Sequence, residues 1–77
     1  MKEREYTIIL DPDEEEGGYT VTVSALPRCV AQGDTLEEAI AMAQDAIQGY
    51  IEALAKDGLP IPEEHVRPLL ATVRVMA

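Results

Sequence analysis

Residues 25–39 read ALPRCVAQGDTLEEA, and the change from strand to helix falls inside them. Thr35 followed by Glu38 has the spacing of a capping box: the Thr hydroxyl accepts from an early helix N–H while Glu38 reaches back to the cap amide. Glu37 and Glu38 also sit in the positive field of a helix start. Ahead of them, Cys29, Val30, Ala31 and Gln32 follow the Leu26-Pro27 turn as a short strand stopped by Gly33. So short a strand suits the edge of a sheet.

Downstream, Leu36, Ala39, Ile40, Ala43, Ile47, Tyr50, Ile51 and Leu54 recur at spacings of three and four, giving one apolar stripe until Gly58 ends the helix. A helix from Leu36 to Asp57 would be roughly 33 Å long at about 1.5 Å per residue, enough to span a small sheet. Gly49 weakens its interior by up to about 1 kcal/mol relative to Ala, which close packing against another backbone would explain. Upstream, Tyr6, Ile8 and Leu10 alternate within EYTIIL, and Tyr19, Val21 and Val23 within GYTVTVS, as half-buried strands do. Between them, DPDEEEGG combines turn chemistry at Pro12, Gly17 and Gly18 with Asp11, Asp13, Glu14, Glu15 and Glu16. These carboxylates would repel one another if packed, so the segment reads as a solvated hairpin loop.

After the helix, GLPIPEE is a connector with two prolines, and beyond Pro68 the run Leu69 to Val75 alternates at Ala71, Val73 and Val75 as a fourth strand would. The expected class is α+β in the order β-β-β-α-β, a small sheet with one long helix packed on one face. A last strand parallel to its neighbour would cross over right-handedly. No internal repeat or domain boundary interrupts residues 1–77, which read as a single domain.

The chain has 77 residues, 47% of them apolar, with fifteen acidic and six basic side chains for a net charge of −9. That charge opposes nucleic-acid phosphates, so no direct nucleic-acid binding is expected, and it favours a basic protein partner. No apolar run approaches the ~18 residues of a membrane span, and MKEREYTIIL has no apolar signal-peptide core, so the cytoplasm is the expected compartment. One cysteine makes no internal disulfide, and a domain this small has little apolar area to set against its conformational entropy. A homo-oligomer, dimer or tetramer, would supply the missing burial.

Catalytic readings are weak. Cys29 as a nucleophile would need a base and an orienting group, yet the sole histidine, His65, lies in a polar connector beside Glu63 and Glu64. A buried strand residue is the better reading of the thiol, and a solvated one of the histidine. Asp11, Asp13 and Glu15 alternate like the opening of a calcium loop, but Glu16 stands where that loop needs glycine and Thr22 where it needs a bidentate Glu. Tyr6, Tyr19 and Tyr50 read as packing residues with wet hydroxyls. No metal site, cofactor or phosphate-cradling loop is expected, and none of the chain is expected to be enzymatic.

Taken together, DEEEGGYTVTVSALPRCVAQGDTLEEAIAMAQDAIQGYIEAL resembles the N-terminal domain of HicB-like antitoxins. That pattern joins an acidic turn and Gly-Gly-Tyr to a Leu-Pro-Gly-Cys turn and a Gly-Asp-Thr-x-Glu-Glu-Ala helix start. The similarity runs from about Tyr6 to Pro62, and Arg28 departs from the usual glycine. The resemblance implies a fold similar to part of the ribonuclease H fold, without that enzyme's activity being implied. It also implies a small basic, HicA-like, mRNA-cleaving toxin as partner, neutralised by direct contact, with Asp11, Asp13, Glu14, Glu15 and Glu16 as candidate contacts. Full-length members carry a C-terminal DNA-binding domain that these 77 residues do not contain, which implies a stand-alone member. Two other readings remain open: an orphan homo-oligomeric domain binding an unknown protein or small molecule, and a metal-dependent nuclease.

Overall fold

The computed structural model describes residues 3–77. Three strands, β1 (Ile8–Pro12), β2 (Tyr19–Val23) and β3 (Val30–Gly33), precede one helix, α1 (Leu36–Lys56). The sheet is antiparallel in the order β1-β2-β3, so β3 is an edge as expected and β1 is the other. Leu10 faces Val21, which faces Ala31, and this row lies under the helix; Ile9, Thr22 and Val30 form the next row, on the opposite face. Period-two alternation therefore gives one covered face and one bare one.

The core has two halves. Val21 packs with Ala39 and Ala43, flanked by Ile8, Leu10, Tyr19 and Ala31. Val23, Leu26 and Cys29 pack with Tyr6, Ile8, Ala46, Ile47 and Tyr50. Only alanines of the helix are fully buried, which brings the helix axis close to the sheet and leaves larger members of its stripe at the margins: Leu36 and Ile40 are 48% and 40% exposed. Gly33, inside β3 rather than after it, completes this close approach. A β-carbon there would lie 2.7 Å from the Ala39 Cα and 2.8 Å from the Glu38 carbonyl carbon. Gly49, by contrast, has open space around its missing side chain, so close packing does not explain it.

The helix ends are as local chemistry dictates, with one difference. The Thr35 hydroxyl accepts from the Glu38 N–H at 3.1 Å, but Glu38 reaches back to the Asp34 amide, at 3.2 Å, rather than to the cap amide. At the other end Asp57 is the cap, and Gly58, at φ +68°, lets its N–H reach the Ala55 carbonyl while Leu59 N–H reaches Leu54, a Schellman closure. The turn into β3 closes with Cys29 N–H donating to the Leu26 carbonyl at 3.1 Å. Pro27 and Arg28, at φ +66°, are its central residues, as in a type II turn. Arg28 thus adopts the left-handed backbone for which glycine is suited.

The expected fourth strand does not form. Residues 66–77 pair with no strand, and Leu69, Val73 and Val75 are 94%, 80% and 76% exposed. Just upstream the chain is anchored. Tyr6 OH donates to the Pro62 carbonyl, Arg4 pairs with Glu63, Glu64 accepts from Thr7, and Arg67 pairs with Glu5, so residues 62–67 are tied to the segment preceding β1. Beyond Pro68 the chain runs exposed, clear of the sheet.

Candidate partner-binding surface

The acidic hairpin turn is ordered by its own first carboxylate. Asp13 Oδ1 accepts from the amides of Glu15 and Glu16 at 3.0 and 3.1 Å, while the Asp13 carbonyl accepts from Gly17 N–H at 2.9 Å. Asp13 N–H donates to Gly18 O at 2.9 Å and closes the ladder. Asp residues favour this arrangement because the short side chain mimics a backbone acceptor. Gly17 and Gly18, both at φ +79°, bring the chain back; a β-carbon on Gly18 would lie 2.6 Å from the Gly33 carbonyl oxygen. The hairpin thus packs directly on the end of β3.

Of the five candidate contact residues, Glu14, Glu15 and Glu16 hold exposed carboxylates on this turn. Asp13 spends one oxygen on the turn itself, and Asp11, paired with Thr20, lies on the bare face of the sheet. A shallow concavity lined by Asp13, Glu16, Tyr19, Gln32, Asp34 and Glu38 joins the turn to the helix start. Asp34 and Glu38 therefore extend the acidic surface. The sequence separates them from Glu16 by about twenty residues, and only the β2–β3 register, with Tyr19 opposite Gly33, brings them together.

The other singled-out groups are placed differently. Cys29 is buried, and burial raises its pKa, so its thiol is held in the protonated, unreactive form. His65 is exposed. Among the described residues no group of three or more His, Cys, Asp or Glu side chains could hold a metal ion, and no helix is long and apolar enough to cross a membrane.

A feature that the sequence hid is the clamp at Glu64. Its two carboxylate oxygens accept from Thr7 N–H and Thr7 Oγ1, both at 2.6 Å, and its side chain is only 5% exposed. These two hydrogen bonds, helped by Arg67, hold the carboxyl below the usual glutamate value. Fifty-seven residues separate the partners, and no local pattern announces the contact.

Residues 6–72 match the family described as the HicB-like antitoxin of bacterial toxin–antitoxin system. A UPF0150 protein of Thermoplasma acidophilum is 42% identical over 64 residues, covering 83% of this chain and 91% of that protein. Another, from Synechocystis sp., is 44% identical over 66 residues, covering 83% and 82%. Antitoxin HicB 1 of Photorhabdus laumondii is 42% identical over 62 residues, 80% of this chain but 39% of that longer relative.

Proposed function

The chain belongs to the HicB-like antitoxin family of bacterial toxin–antitoxin systems, and on that premise we propose that it neutralises a small basic, HicA-like, mRNA-cleaving toxin by direct protein–protein contact. The observation that carries the reading is the Asp13-capped turn, which presents Glu14, Glu15 and Glu16 in one fixed arc on a chain of net charge −9. A preformed acidic arc attracts a basic partner over a distance of about one Debye length, near 10 Å at 0.1 M salt, and orients it before contact. Asp34 and Glu38, on the rim of the adjoining concavity, add to the same field. The chain acts in this reading by occupying the toxin's basic surface, without chemistry of its own.

The test is association kinetics with the basic product of a neighbouring reading frame. Association with the wild-type chain should slow as salt rises. Replacing Glu14, Glu15 and Glu16 together by Gln should lower the low-salt on-rate and flatten the salt dependence, with folding unchanged because these carboxylates are solvated. RNA cleavage by the toxin should stop on complex formation. An unchanged on-rate in the triple variant would make the turn a solubilising tip and move the contact to the helix or a sheet edge. A complex that still cleaves RNA would overturn neutralisation itself.

A further inference from the structure

The outer edge of β1 and the C-terminal segment are two unmatched halves of one strand pair. At the two ends of the β1–β2 ladder, Asp13 N–H bonds Gly18 O and Ser24 N–H bonds Thr7 O, so the odd-numbered residues of β1 face β2. The backbone groups of Ile8 and Leu10 then point outward along an open edge, and Pro12, which has no N–H, falls at an outward position, where it costs no ladder bond. Beside this edge runs a groove whose apolar lining is Ile8 from β1 and Ile40, Ala43 and Ile47 from the helix. A strand added here would find its backbone partners on β1 and a floor for its inward side chains.

Residues 69–75, LLATVRV, are suited to that position. Leu69, Ala71, Val73 and Val75 alternate with Leu70, Thr72 and Arg74, so one face is wholly apolar and the other can carry the charge. Seven residues extend about 23 Å, more than β1 needs. The chain's own edge is not the acceptor in this arrangement: beyond Pro68 the segment stands clear of the body, with Leu69 94% and Val73 80% exposed. Charge selects among other acceptors. Residues 68–77 contain Arg74 and no acidic residue, while all fifteen acidic side chains lie in residues 1–65. A basic partner would repel this arm, whereas a second copy presents an acidic body with a vacant edge.

We propose that residues 69–75 form an exchanged arm that pairs with the outer edge of β1 in a second copy of this chain, each copy completing the other's sheet. The exchange is reciprocal and closes on a dimer, satisfying both open edges and covering both apolar arms. It does not rest on the toxin-binding reading: it is argued from the open edge of β1 and the exposed apolar arm, and its test uses this chain alone.

Light scattering and NMR on the full chain decide it. The wild type should have twice the chain mass at micromolar concentration. A mixed sample of differently isotope-labelled chains should show intermolecular contacts from Val73 and Val75 methyls to the Ile8 and Leu10 amides. The double variant Val73→Asp with Val75→Asp should run at monomer mass. Its Ile8 and Leu10 amides should exchange at least about tenfold faster than in the wild type while Val21 stays protected. A monomeric wild type overturns the proposal, including one whose Ile8 and Leu10 amides are protected because the arm folds back on its own edge. A dimer lacking those intermolecular contacts overturns it equally, because its interface then lies elsewhere.

Discussion

The Ala39 Cα sits 2.7 Å from the place a β-carbon on Gly33 would occupy, so the first turn of α1 rests on the bare backbone of β3. The contact ties the strand that ends the sheet to the helix that covers it, and the atoms concerned are backbone, which cannot swing aside. Gly33→Ala should therefore destabilise the protein by about 1–3 kcal/mol, the range of an overpacked core. Gly49→Ala, in open space on the same helix, should stabilise it by about 0.5–1 kcal/mol. Chemical denaturation of the two variants checks both signs; equal effects would show that Gly33 has room to relax.

Thr35 holds the start of the same helix through its hydroxyl. Thr35→Ala should cost about 1 kcal/mol, a fall in Tm of roughly 4–8 °C for a domain of this size. Thr35→Ser retains the acceptor and should cost much less. Thermal unfolding of the two variants provides the comparison, and a loss of the same size in both would mean that the threonine methyl, not the cap, matters.

Arg28 occupies the third position of its turn at φ +66°, a region that costs an L-residue roughly 1–2 kcal/mol and glycine almost nothing. Part of that gain is offset by the greater freedom of glycine in the unfolded chain. Arg28→Gly should raise stability by up to about 1 kcal/mol, seen as a higher denaturation midpoint at unchanged slope. A lower midpoint would show that the arginine side chain contributes more than its backbone costs.

Glu64 gives the clamp a pH dependence. Its folded pKa is depressed below the ordinary value of 4.5, chiefly by the hydrogen bonds from Thr7, so its contribution is present above that value and is lost as pH falls through the folded pKa. The Thr7 amide resonance should titrate with a midpoint below 4.5, and Thr7→Val, which removes the hydroxyl donor, should move that midpoint upward. A midpoint at or above 4.5 in the wild type would mean that the carboxylate is not held by Thr7 in solution.

What the sequence determined by itself was whatever rests on neighbours within a few residues. The alternation in Tyr19–Val23, the Thr35 cap, the Gly58 stop and the Leu26-Pro27 turn each arise from side chains and backbone groups close along the chain, and each lies where its local pattern puts it. The exposure of Glu14, Glu15 and Glu16 was legible for the same reason, since like charges crowded into a glycine-rich turn stay in water. Tertiary structure decided the rest. It made Gly33 and not Gly49 the close-contact glycine, set Asp34 and Glu38 beside Glu16, closed Glu64 on Thr7, and left residues 69–75 without a ladder. These depend on which backbones approach across tens of residues. A strand in particular is completed only by an edge beside it, and no alternation of Ala71, Val73 and Val75 can say whose edge that is.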